Sequence, residues 1–221
     1  MTVVAKRDAA SPRISSVVLP DLEEGDAGTL TDGGRIDGHR FEDVDASGAA
    51  LHGVVLDECL LRSVTFDDAV LDGARIVDSV LDGVTATALR AARVVLRDVR
   101  FEGCRFGAAE WFASELSRVE LVGCRIDYLS LADSTLEDVR FTDCTIGDLD
   151  LRGATVRRTA VVDSRIRELS VGGARLEHLD LRGADLDRID SAASLSGAIV
   201  STDQLPRFAP LLAEALGITV A

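Results

Sequence analysis

The chain has 221 residues with a formal net charge of −14; 47% of it is apolar, 28% charged and only 4% aromatic. That acidic balance repels nucleic acid and anionic membrane surfaces, so neither is expected as a direct partner, whereas a basic or neutral protein surface is. No stretch is long and apolar enough to span a bilayer, and Met1 to Ala10 has only Val3, Val4 and Ala5 where a secretion signal needs a longer apolar core, so a cytoplasmic protein is expected.

Residues 1 to about 13 are polar and carry the only lysine, Lys6, with Arg7 and Arg13, which predicts a disordered tail. Ile14, Val17, Val18 and Leu19, ended by Pro20, suit one short strand that would serve as an amino-terminal cap on the body of the chain. Asp21 to Gly34 is acidic and glycine-rich, a turn-forming linker. Residues 1–33 are thus read as tail and cap.

From Ile36 to Leu186 every fifth residue is apolar in one unbroken frame, beginning Ile36, Phe41, Ala46, Leu51 and Leu56. For a chain of this composition, 31 such centres in a row arise by chance on the order of once in ten billion, so the period is physical. Two residues before each centre a second position favours small or compact side chains, such as Val54, Ala74, Ser114 and Ala154. A helix repeats at 3.6 residues and a strand at 2, so five matches neither. It fits a chain that turns a corner every five residues, points two side chains inward and three outward, and pairs successive coils as parallel strands about 4.8 Å apart.

The stretches Gly183-Ala184-Asp185-Leu186-Asp187 and Gly153-Ala154-Thr155-Val156-Arg157 resemble the pentapeptide-repeat family, whose consensus is Ala-(Asp/Asn)-Leu-X-X. The resemblance covers residues 34–190. It implies an all-β fold, a right-handed quadrilateral parallel β-helix with four pentads per coil, so that each residue stacks on the one four pentads away. At that geometry the repeat has about 8 coils and is about 38 Å long. Cys104, Cys124 and Cys144 fall one coil apart on that spacing. One departure is the complete absence of asparagine.

The weakest centres are Ala86 and Ala91, and one coil further along lie Phe106 and Trp111. Large over small keeps an interior dense, so these pairs are expected to interdigitate, with Trp111 buried. The local sequences 87–94 and 108–116 are also helix-compatible, which leaves a bulge or distorted coil there as the alternative.

After Leu186 the centre positions fall to Ser191, Ser196 and Ser201, so the repeat is expected to end near residue 190. Within 191–221, Leu205, Phe208, Leu212 and Leu216 recur on one helical face, with Gly217 as its stop. That helix either caps the open edge of the last coil or joins two chains as a homodimer through the carboxy-terminal end, an arrangement the resemblance allows.

The residue types of catalysis and ligation are present but not arranged for it. Cys59, Cys104, Cys124 and Cys144 all occupy the inward small position, which reads as core packing, since stacked parallel side chains orient their sulfurs poorly for a disulfide. His39 is inward while His52 and His178 are outward and far apart, so no metal site is expected. No nucleophile elbow, phosphate loop or dinucleotide fingerprint occurs, and a filled rod offers no obvious concave site, so neither a cofactor nor an enzyme is expected.

An interaction protein is therefore expected. In the family the resemblance names, topoisomerase-binding members imitate the rod shape and charge of duplex DNA and occupy the DNA-binding saddle of gyrase, which makes DNA gyrase the implied partner. Residues 31–90 hold 12 acidic residues and 5 arginines, net −7, whereas residues 91–190 hold 19 and 15, net −4. The candidate acidic surface is accordingly Asp57, Glu58, Asp67, Asp68, Asp72, Asp78, Asp82 and Asp98, with Glu58, Asp78 and Asp98 in one column. The other reading is a scaffold or protein-binding rod recognised through a mixed face, where Phe112 lies outward among Ala92, Ala113 and Ala132, unless that face seats the amino-terminal tail.

Overall fold

A chain that buries every fifth residue must turn between centres, and the backbone shows how. The computed structural model, which describes residues 10–215, 217 and 218, confines positive φ between residues 33 and 178 to a single frame position, two after a centre, and uses it on every face except the one whose centres run from Ala86 through Phe106 to Ile166. A type II turn demands that conformation at its third residue, and hydrogen bonds such as Ala74 N–H to Leu71 O and Ala154 N–H to Leu151 O (both 3.0 Å) close the turns. Besides glycine, the position is filled by aspartate at 43, 68, 78, 98, 133, 138, 143 and 163. Aspartate, like asparagine, tolerates the left-handed region better than most residues. In a chain without asparagine, part of the acidic composition is therefore turn chemistry.

Successive turns pair in parallel, each residue meeting the one four pentads further along, as in Ile76↔Leu96, Leu96↔Leu116, Leu116↔Leu136 and Leu136↔Val156. The result is a right-handed quadrilateral parallel β-helix of about nine turns with one short carboxy-terminal helix. Its four faces take their names from the centres of one coil: Leu96, Phe101, Phe106 and Trp111. Partial turns extend it at both ends. Glu23–Gly25 pairs with His39–Phe41, and Ala198–Ile199 pairs with Leu179 and Asp180.

Of the expected centres, only Leu176 is not buried. The next coil pairs one residue short of four pentads, Leu179↔Ala198, and crosses Leu176 closely at Gly197, where a Cβ would collide with Leu176 O. Leu176 keeps partial solvent contact there.

Trp111 is buried, 5.3 Å from the Phe101 ring and edge-on to Phe106 at 5.8 Å. Phe106 pairs with Ala86, and a cavity of only about 20 Å³ remains among Ala91, Trp111 and their apolar neighbours. Large residues fill the space that small ones leave. The helix-compatible segments follow the solenoid instead: Thr85–Arg90 and Arg105–Glu110 are strands, because parallel pairing on both sides outweighs local propensity.

The inward small position has a second purpose. Ser134 Oγ accepts from Ser114 N–H (2.9 Å) and donates to Trp111 O (3.2 Å), while Cys104 and Cys144 Sγ donate to Leu81 O and Leu121 O (3.3 and 3.4 Å). A short side chain with a polar tip thus satisfies backbone groups inside the rod. All four cysteines are free and buried. The Cys104 thiol beside it, together with burial, pushes Cys124 up to about 12, so the Cys124 thiol stays protonated.

The amino-terminal end departs from expectation. Residues 14–19 form no strand across the first coil; the segment 10–19 runs along the rod to its middle turns, with Pro12 buried and Arg13 N–H donating to Asp138 Oδ1 at 2.9 Å. The tail expected over residues 1–13 lies mostly outside the described residues. At the other end the helix α1 (Leu205–Ala215) follows a capping box on Ser201 and Gln204. Gln204 Nε2 donates to Leu181 O (2.7 Å) and Ala184 O (2.8 Å), closing carbonyls at the edge of the last full coil.

Candidate interaction surface

Because side chains one, two and four residues past a centre point outward at fixed angles, frame position alone assigns each acidic candidate to a face or an edge. Asp57 follows a centre on the Leu96 face, Asp82 on the Phe101 face, Asp67 on the Phe106 face and Asp72 on the Trp111 face. Glu58, Asp78 and Asp98 share the edge between the Leu96 and Phe101 faces, and Asp68 lies on the diagonally opposite edge. The eight therefore encircle the rod. Only the Glu58, Asp78, Asp98 column is brought together.

Pairing divides them further. Asp57 lies 3.6 Å from Arg35, Asp82 3.0 Å from Arg62 and Asp72 2.9 Å from Arg90. Asp98 takes a two-pronged contact from Arg118, Nε to Oδ1 at 2.5 Å and Nη2 to Oδ2 at 2.6 Å. Asp67 accepts from Thr87 N–H (2.6 Å) and Thr87 Oγ1 (2.9 Å). Among the described residues Glu58, Asp67, Asp68 and Asp78 have no arginine within 4 Å. Partial desolvation, then the like charges of Asp98 and Asp57, hold the Asp78 carboxyl above its usual range.

The edge that begins with Glu58 and Asp78 changes sign along its length. Beyond Asp98 come Arg118, Asp138, Arg158 and His178, one per turn. Arg158 grips buried Asp138 through Nε to Oδ1 (2.7 Å) and Nη2 to Oδ2 (2.8 Å), and also reaches Glu137. These bonds hold the Asp138 carboxyl below its ordinary range. The amino-terminal strap lies over this paired part: Ile14 to Val17 border a groove of about 450 Å³ with Val99, Arg100, Arg118, Glu120 and Arg140. Glu58 and Asp78 lie outside that groove.

Phe112 is 37% exposed on the Trp111 face, and the strap lies elsewhere on the rod, so the described part of the tail does not seat there. On α1, Phe208 is buried, but Leu205 and Leu212 are 45% and 38% exposed. Leu211 packs against the core in their place, because the helix faces the solenoid with the flank that carries Arg207, which meets Asp185 at 2.8 Å, Phe208 and Leu211. Leu216 lies outside the described residues. Among the described residues no three His, Cys, Asp or Glu side chains cluster as metal ligands, and no helix is long and apolar enough to cross a membrane.

A four-sided solenoid with a five-residue frame, a four-pentad register and charge carried at the turns defines a β-helical repeat protein. The family described as pentapeptide repeat region matches residues 94–171, and that described as pentapeptide repeats (8 copies) matches residues 40–76; the chain belongs to the pentapeptide-repeat family. Among solved structures it is similar to a trypsin-treated form of QnrB1, a plasmid-mediated fluoroquinolone resistance protein, at 21% identity over 90% of this chain and 94% of that one, with a TM-score of 0.40. Full-length QnrB1 gives 22% identity, 89% and 95% coverage and a TM-score of 0.37. HetL, a pentapeptide repeat protein involved in heterocyst differentiation regulation from the cyanobacterium Nostoc sp. strain PCC 7120, gives 18%, 79%, 92% and 0.30. No curated protein matches the chain.

Proposed function

We propose that the rod is a non-catalytic interaction protein whose amino-terminal turns present a DNA-like charge to a DNA-handling enzyme such as DNA gyrase. The observation that carries this reading is the imbalance of unpaired charge. Over residues 31–90, Asp37, Asp43, Asp45, Glu58, Asp67, Asp68 and Asp78 have no cationic partner within 4 Å, and Arg75 is the one arginine without a carboxylate partner among the described residues. Net −7 over about three turns is about one charge per 2 Å of rod, close to the roughly 1.7 Å of duplex DNA. Beyond residue 90 the arginines dilute it to about one per 6 Å. Turn chemistry explains why an Asp sits at 43, 68 or 78, but glycine and asparagine would serve those turns without charge.

The test is gyrase supercoiling with increasing protein at two salt concentrations, beside Glu58→Gln/Asp78→Asn, which keeps the turns. Inhibition or drug protection that weakens with salt and in the variant supports mimicry. An enzyme unaffected at every concentration refutes it.

Two further observations bear on assembly. Leu205 and Leu212 remain exposed on α1, which favours a homodimer through the carboxy-terminal end with the acidic turns at its far poles. Exposed Phe112 favours the scaffold reading, in which a partner docks on that mixed face; capture of a partner that Phe112→Ser abolishes and the acidic variant leaves intact would select it.

A further inference from the structure

Stacking coil on coil sets each outward side chain beside the equivalent ones on the turns above and below, so the sign of a column is a property of the sequence. Most arginines have a neighbour that suits them. Arg62 pairs in register with Glu42 and Asp82, Arg100 and Arg140 both flank Glu120, and Arg157 meets Glu177. One strand pair breaks the pattern. Arg105 and Arg125 are direct in-register neighbours on the Phe106 face, the one arginine-on-arginine pairing among the described strands. Like charges directly opposite on adjacent strands repel. Neither has a carboxylate within 4 Å among the described residues, and both are exposed.

The surroundings form a shallow receptacle. Thr85 precedes the pair in the column and Thr145 follows it. Beside Arg105 the chain bears Gly107, where a Cβ would collide with Thr87 O, so the wall stays bare. The resulting groove, about 360 Å³, is lined by Arg105, Arg125, Thr85, Thr87, Asp67 and Asp127. Asp67 is already engaged by Thr87. Asp127, two residues past Arg125 on the same strand, also lines the groove and, with the net charge of −14, opposes any extended polyanion.

We propose that Arg105 and Arg125 form a binding site for one compact oxyanion. Two guanidinium forks about one strand spacing apart suit a phosphoryl group or a carboxylate, each of which accepts paired N–H donors. The bound anion replaces the carboxylate that other columns supply from the chain itself. On a protein rod this site gives a partner's phosphorylated or acidic side chain a fixed place on the Phe106 face, away from the Glu58 and Asp78 edge.

The full chain is titrated with inorganic phosphate and, separately, acetate, following arginine Nε–H resonances by NMR. Saturable shifts confined to Arg105 and Arg125, with Arg75 and Arg97 as exposed single-arginine controls, are expected. Phosphate binding at least about tenfold tighter than acetate assigns the phosphoryl source, and equal binding assigns the carboxylate. Arg125→Gln should weaken either at least about tenfold. Arg125→Glu should abolish binding and raise the melting temperature, since it restores an alternating column. Shifts at Arg105 and Arg125 no larger than at Arg75 and Arg97, or a lower melting temperature for Arg125→Glu, would overturn the proposal.

Discussion

Replacing Trp111 with alanine tests the stacking register at its most demanding point. The indole is buried between the Phe101 and Phe106 rings and faces a gap of only about 20 Å³ that it shares with Ala91. A buried tryptophan removes about 200 Å² from water, worth about 5 kcal/mol at ~25 cal/mol per Å². Alanine recovers a little of that, so Trp111→Ala is expected to lose about 4 kcal/mol, within the usual range for such truncations. Ala91→Trp alone should also destabilise, because the gap is far too small for a second indole. The double variant Ala91→Trp/Trp111→Ala exchanges large for small across one turn and should recover about 2 kcal/mol of the summed losses as a favourable coupling. Urea unfolding followed by circular dichroism measures all four proteins. Unchanged stability in Trp111→Ala would refute the burial, and strictly additive losses would refute direct contact between the two turns.

Other consequences follow from the same geometry. Leu121→Asp places an unpaired charge at a fully buried centre and should unfold the solenoid, read as loss of the thermal transition, because that penalty of several kcal/mol rivals the whole stability of a domain. Arg158→Gln leaves buried Asp138 with only the Arg13 N–H and a weaker neighbour, and should cost about 3 kcal/mol in a urea titration at pH 7. Since the folded Asp138 carboxyl is held below its ordinary range, its contribution is present above about pH 4 and is lost as pH falls through the lower folded value; the gap between native protein and Arg158→Gln should close in acid. Removing residues 202–221 strips Gln204 from Leu181 O and Ala184 O and exposes the last coil, so the truncated chain should aggregate, as light scattering would show.

Much of the fold was legible because it obeys one period. A centre such as Leu121 and an inward thiol such as Cys124 are fixed by frame position, whatever their neighbours. The surface was less legible, since its meaning depends on pairs. Yet once the register is four pentads, Asp98 with Arg118 and Asp138 with Arg158 can be read as ion pairs, and that signal would have removed Asp98 from the free acidic column. Composition does not separate the turn role of Asp68 and Asp78 from that of other outward acids; their common place two residues after a centre is the sign that does. The amino-terminal strap was not legible. Its seat depends on buried Pro12 and a single bond to Asp138, and no local pattern announces a contact across the fold. Helical periodicity grouped Leu205 and Leu212 with Phe208, but a helix lying over the end of a rod buries a narrower stripe than one packed into a core.

That strap also bears on how the molecule comes apart. In a stack each turn touches only the next, so fraying can start at an end and travel inward one turn at a time. The bond from Arg13 to Asp138 spans a sequence separation of 125, where contacts between turns mostly span a single coil. It works as a cross-brace along several turns, so the end bearing the open acidic residues cannot peel away without first letting go of the middle of the rod. Cooperativity, ordinarily short-ranged in a solenoid, is thereby extended over the amino-terminal half of the rod.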